Sequence, residues 1–152
     1  QIVVQKKAFG SGYKDIIFPI NNFSEVDQKL KWAKHIAKSF NSVIHLFKIP
    51  QEEFSDETEK NLKIIREAFH ESGIKFQEEF AIKHKNFADQ VIEYAQKNDS
   101  DLIVIMTNPD EIRPAFILGP WDEKIIFNEA CIPVLCINPA SVDVNVVLPL
   151  YW

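Results

Sequence analysis

Two spacings of apolar residues alternate along this chain. Ile16–Ile20 (IIFPI) is a short unbroken apolar run and reads as a buried strand. Ser24 then opens a helix, with Asp27 three residues on as a variant of the capping box. Val26, Leu30, Ala33, Ala37 and Phe40 recur at helical spacing, which predicts an amphipathic helix over Glu25–Phe40. Ser42–Ile49 (SVIHLFKI) is the next strand, closed by Pro50. Ser55 or Asp56 starts a second helix with Leu62, Ile65, Ala68 and Phe69 on one face, and Gly73 stops it. In Lys75–Lys83, Phe76, Phe80 and Ile82 alternate with Gln77 and Glu79, the pattern of a half-exposed edge strand. Asn86 caps a third helix with Ala88, Val91, Ile92 and Ala95 inward. Asp101–Met106 (DLIVIM) is apolar throughout after its Asp, as expected of a central parallel strand covered on both faces. Thr107–Pro120 is a loop, Trp121–Glu129 a short helix, and Pro133 opens a last strand, Val134–Asn138. Strands alternating with helices predict an α/β fold around a parallel sheet.

Composition narrows the picture. The chain has 152 residues, a length that suits one domain with one core. A charged fraction of 26% beside 46% apolar residues argues against wholesale disorder. The net charge of −5 has no basic block behind it, so nucleic acid is not expected as a partner. No apolar run approaches the roughly 20 residues a membrane span needs. The start, QIVVQKK, lacks the apolar core of a signal peptide, and a cytoplasmic location is expected. Cys131 and Cys136 stand five apart in apolar surroundings, a spacing that fits buried reduced thiols better than a disulfide framework or metal site. His35, His45, His70 and His84 fall on separate elements without a metal-binding spacing. His45 reads as a satisfied core histidine. Neither a metal nor a cofactor is expected.

Three segments carry a resemblance: YKDIIFPINNFSE around the first strand, DLIVIM as the fourth, and FILGPWDEKIIFNEACIPVLCINP as the closing helix and strand. In their order and spacing the chain resembles the universal stress protein family over Tyr13–Pro139. The resemblance implies a doubly wound, Rossmann-like α/β fold of the adenine nucleotide alpha hydrolase type. Its five parallel strands would run in the order 3-2-1-4-5, with helices on both faces. Nucleotide-binding members of the family carry an Asp after the first strand that contacts adenine and ribose. After the fourth strand they carry a Gly, two residues, a Gly, nine residues, and a Gly followed by Ser or Thr. Glycines let backbone N–H groups approach phosphates, and the hydroxyl sits at a helix start that favours anions. Laid on this chain without gaps, those positions fall on Met106, Pro109, Gly119 and Pro120. Pro109 and Pro120 have no N–H to donate, and only Gly119 is kept. Asn21 or Asn22 stands where the Asp would be, and Asp110 and Glu111 would repel phosphate. Arg113, Phe116 and Trp121 are expected to fill the space a nucleotide would take.

The resulting expectation is a non-catalytic stress-response domain of the universal stress protein type. It would act through dimerisation or partner contacts and would not bind ATP in the family's mode. One alternative is a module that binds a small ligand or adenine nucleotide at the sheet's switch point. A second is a weak nucleotide hydrolase. The partner edge is expected at Val134, Leu135, Cys136 and Ile137, the open fifth strand, used either in a homodimer or within a tandem pair. The family's fifth strand ends in an apolar run before a polar linker, and QIVVQ followed by KKAFGSGYK fits that order. Residues 1–5 are accordingly expected to be the remnant strand of a preceding domain, residues 6–14 a linker, and residues 15–139 the domain itself. Residues 140–152 form an extension in which Val142–Leu148 has strand character. An orphaned Ile2–Val4 should seek the edge of the last strand or that tail.

Overall fold

Six strands form one sheet in the order β4-β3-β2-β5-β6-β1. In chain order the elements are β1 (Ile2–Val3), β2 (Asp15–Ile20), α1 (Asp27–Phe40), β3 (Val43–Lys48), α2 (Asp56–Glu71) and β4 (Lys75–Phe80). They continue with α3 (Phe87–Lys97), β5 (Leu102–Met106), α4 (Pro120–Ile126) and β6 (Val134–Ile137). This computed structural model describes residues 2–3, 12–22, 26–107 and 120–137. The expectations for residues 6–10, Ser24, Pro109, Asp110, Glu111, Arg113, Phe116, Gly119 and Val142–Leu148 lie outside the described residues.

The five strands from β2 to β6 run parallel in the expected order 3-2-1-4-5. Strand side chains point alternately to the two faces, so the sheet divides the core in two. Ile16, Phe18, Ile44 and Leu46 pack under Leu30 and Ala33 of α1 and Leu62 and Phe69 of α2. Ile17, Phe47, Ile103 and Ile105 pack under Val91 and Ala95 of α3 and Ile125 of α4. Helices covering both faces explain why β2 and β5 read as continuous apolar runs rather than alternating ones.

Caps set several boundaries. Ser55 Oγ accepts the Thr58 N–H at 3.1 Å and starts α2, and Asn86 Oδ1 accepts the Asp89 N–H at 3.1 Å and starts α3. Gly73, at φ +65°, follows the end of α2 in a left-handed conformation that strains other residues. Helix α1 begins later than its pattern predicts. Its cap position is Val26, which has no side-chain acceptor, and the Leu30 N–H donates to the Val26 carbonyl.

Three further expectations are corrected. Strand β4 ends at Phe80, not Lys83. Gln90 takes over both backbone groups of Ile82: its Oε1 accepts the N–H at 2.7 Å and its Nε2 donates to the carbonyl at 3.0 Å. Helix α4 stops at Ile126, not Glu129, because Asn128 turns the chain. Its Nδ2 donates to the Ile125 and Ile132 carbonyls and its Oδ1 accepts the Ile132 N–H. Cys131 is only half-buried and holds a left-handed φ of 55° in that turn, whereas Cys136 is buried.

The fifth strand of the parallel set is also not an open edge. β1 pairs antiparallel with β6, Ile2 opposite Leu135 and Val3 opposite Val134, so half of β6 is covered within the chain. Ile2–Val4 was expected to seek this edge, and Ile2 and Val3 do.

Candidate functional site

In a doubly wound sheet the crevice lies beyond the carboxyl ends of the strands, where the strand order reverses. Here that place is between β2 and β5. Pro19, Ile20 and Asn21 come from the end of β2, and Ile105 and Met106 from the end of β5. The first turn of α1 contributes Val26 and Lys29, α2 contributes Thr58 and Asn61, and α4 contributes Trp121. The partly open crevice they line has a free volume of about 40 Å³, room for roughly three waters at ~10–15 Å³ each.

Lys29 is the dominant feature of this wall and was not among the residues expected there. Its residue is only 9% exposed. Its Nζ donates to the Pro19 carbonyl and lies 4.2 Å from the centroid of the Phe18 ring. Burial disfavours the charged amine and pushes its pKa down to about 7. The signal was present in the sequence: Lys29 stands three residues after Val26 and four before Ala33, inside the apolar stripe of α1 rather than opposite it.

The two asparagines separate. Asn22 Oδ1 accepts the Ser55 N–H at 3.0 Å and the Thr58 hydroxyl at 2.6 Å, and its Nδ2 donates to the Glu53 carbonyl at 2.7 Å. These bonds tie the turn after β2 to the start of α2, so Asn22 serves the scaffold. Asn21 lines the cavity. Met106 is the last residue of β5, in register with Ile137, and it lines the cavity where a glycine would leave space. Pro120 is the first residue of the seven-residue α4 and has no N–H to offer. Val134, Leu135, Cys136 and Ile137 are all buried and none of them lines the cavity.

His45 belongs to a different place. Its Nε2 is 2.8 Å from Asp15 Oδ1, at the start of β2, and its Nδ1 is 3.2 Å from the Tyr94 hydroxyl. Both ring nitrogens are engaged, as expected of a satisfied core histidine. Among the described residues no group of three or more His, Cys, Asp or Glu could hold a metal ion. Among the same residues, no helix is long and apolar enough to cross a membrane.

A universal stress protein of Methanocaldococcus jannaschii is 25% identical over 143 residues, covering 83% of this chain and 82% of the relative. The solved universal stress protein from Archaeoglobus fulgidus in complex with dAMP matches with a TM-score of 0.62 at 19% identity. That match spans 82% of this chain and 98% of the other. A functionally unknown protein from Pseudomonas aeruginosa matches with a TM-score of 0.68 at 24% identity, over 86% of this chain and 45% of that one. The two structural likenesses carry the fold alone. The sequence itself matches the universal stress protein family over residues 12–138, from the approach to β2 to just past β6. With that span and the same strand order, the chain belongs to the universal stress protein family.

Proposed function

We propose that this stress-response domain is non-catalytic, does not hold ATP in the family's mode, and acts through contacts with a second domain or partner. The observation that carries this reading is the crevice. Lys29, Met106 and Trp121 stand in it and leave about 40 Å³, a volume for a few waters and not for a nucleoside. Pro109 and Pro120 add to it, since neither residue has a backbone N–H for a phosphate. Each lost hydrogen bond to a charged group is worth about 1.5–3 kcal/mol, so losing several removes most of the affinity. Isothermal titration with Mg-ATP tests the reading. Heat below the threshold for millimolar binding is expected, and micromolar binding weakened by replacing Gly119 overturns it.

A second reading is favoured by one observation. The Archaeoglobus neighbour of the same fold holds dAMP, and Asn21 lines the equivalent end of β2 here. Under this reading an adenine nucleoside would enter after Lys29 and Trp121 swing aside. A thermal-shift series with adenosine, AMP and ATP separates the two readings, since only the second gives a stabilisation that grows with ligand concentration.

The tandem arrangement belongs with the first reading. The antiparallel seat of β1 on β6 and the 45% share of the Pseudomonas chain both support it. A parent reading frame that opens within a few residues of Gln1 would end it.

A further inference from the structure

We propose that Lys29 is a reversible carbamylation site that takes carbon dioxide from solution. This goes beyond the absence of ATP binding and does not depend on it. Three features of the crevice meet at one amine. First, Lys29 is nine-tenths buried and lines a cavity, with its nitrogen held at the Pro19 carbonyl and over the Phe18 ring, two residues that line the same cavity. Second, that space is about 40 Å³. It takes the three heavy atoms that carbon dioxide adds, and little more than the roughly three waters of equal bulk. Third, the first turns of two long helices line this cavity. Lys29 is in the first turn of α1, and Thr58, in the first turn of α2, lines the same cavity. A cation is the wrong charge for two helix N-termini and an anion is the right one.

The chemistry closes. The lone pair of the neutral Nζ attacks the carbon of CO₂ and forms the N–C bond. One C=O π pair moves onto oxygen, and one N–H proton leaves to solvent, giving a carbamate anion. One N–H remains, and it can still donate to the Pro19 carbonyl as the amine does now. Asn21 and Asn61 both line the cavity and carry amide N–H groups suited to the new carboxylate oxygens. The attack needs the neutral amine, and burial supplies it by holding the pKa at about 7. At pH 8 an amine of that pKa has roughly 250-fold more neutral form than an exposed lysine. Among the described residues of the wall, no other group competes for the proton. β2 presents Phe18 to Asn21, β5 Ile105 and Met106, α2 Thr58, Asn61 and Ile65, and α4 Trp121, none of which ionises in this range.

The test is chemical trapping. The protein is equilibrated with ¹³C-bicarbonate, O-alkylated with triethyloxonium, digested and read by mass spectrometry beside a control peptide with a free α-amine. Labelled ethyl carbamate is expected at Lys29. Its occupancy should rise about tenfold or more between pH 6 and pH 8 at fixed dissolved CO₂ until the site saturates, because higher pH both frees the amine and draws off the proton that carbamate formation releases. Lys29→Arg and Lys29→Met should lose that label while keeping the far-UV circular dichroism of the parent. An unlabelled Lys29 at pH 8 beside a labelled control peptide overturns the proposal. So does labelling of exposed lysines to the same extent as Lys29. The outcome is independent of the ATP titration, so a failure of either reading is told apart from a failure of the other.

Discussion

A lysine inside an apolar crevice makes stability depend on pH, and the direction follows from where the proton is held. The Lys29 amine has a pKa of about 7 in the folded chain against an ordinary 10.5, because burial penalises its charge. Between these values the unfolded chain carries a proton that the folded chain has released. Stability therefore rises with pH across this window, by up to about 1.4 kcal/mol per unit. Below pH 7 both states are protonated, the slope vanishes, and the folded state bears the full cost of the buried charge. Lys29→Met removes the charge and keeps the stem. It should stabilise the domain by about 2–4 kcal/mol at pH 6, after allowing for the lost bond to Pro19 and the contact with Phe18. The gain should shrink between pH 7 and pH 9. Urea unfolding of both proteins at pH 6, 7.5 and 9 measures this, and parallel pH curves would show that the amine is hydrated in the folded state. The same residue marks the limit of reading the site from sequence. Asn21 and Met106 could be placed at the crevice from family spacing alone. Lys29 was passed over although it falls inside the apolar stripe of α1, because a lysine in an amphipathic helix is ordinarily counted on its wet face. Asn21 and Asn22 stayed alternatives in the sequence for a different reason: Asn22's partners Glu53, Ser55 and Thr58 lie 31 to 36 residues away, beyond the reach of any local pattern.

At the scale of elements, β4 shows how an exposed edge strand is kept in place. Most of its residues face water, yet Glu78 bridges three elements. Its Oε1 receives Lys48 Nζ of β3 at 3.1 Å and Arg66 Nη2 of α2 at 2.7 Å. Lys48 is itself buried and lies 3.8 Å from the centroid of the Phe80 ring. Burial pushes the Glu78 carboxyl up, but hydrogen bonds from Arg66 and Lys48 and their charges outweigh it and hold the pKa below 4.5. A depressed carboxylate stabilises the fold above its unfolded pKa and loses that contribution as pH falls through the folded value. Glu78→Gln should cost about 1–3 kcal/mol at pH 7, since Lys48 is left buried without its anion. The cost should fade as pH falls below the ordinary carboxylate value and on through the lower folded one, where the parent carboxyl itself takes up a proton. Denaturant midpoints at pH 7 and pH 3.5 test this, and an equal loss at both would assign the effect to packing. The elements themselves were legible because each carried its own period: unbroken apolar runs for β2 and β5, helical stripes for α1 to α3, alternation for β4. Their ends were less so. The end of β4 depends on Gln90, ten residues downstream of Phe80. That of α4 depends on the Asn128 side chain, whose bonds become visible only once the turn has formed.

At the scale of the whole molecule, the proposed contact with a second domain or copy is placed at the outer edge of the sheet beside β6. The side chains of Val134, Leu135, Cys136 and Ile137 are all buried in the two cores. An edge partner must therefore bind through backbone N–H and C=O groups, as strand addition does. β1 already does so, but it is two residues long and meets only Val134 and Leu135. So short a strand forms few ladder bonds, and its hold is weakened by the entropy of closing a long connection back to β2. A second copy offering its own β6 antiparallel across a two-fold axis would pair more residues, and a C₂ arrangement lets each edge serve the other. β1 and such a copy compete for the same backbone groups. Deleting residues 1–5 removes the competitor and leaves β2 to β6 intact, so self-association should strengthen. A dissociation constant at least about fivefold lower than that of the full chain is expected, equivalent to roughly 1 kcal/mol of displaced pairing. Sedimentation velocity over a concentration series reads it directly. Equal constants for the two chains would mean that any dimer uses another surface. A weaker dimer after deletion would mean that β1 belongs to the interface and helps to build it.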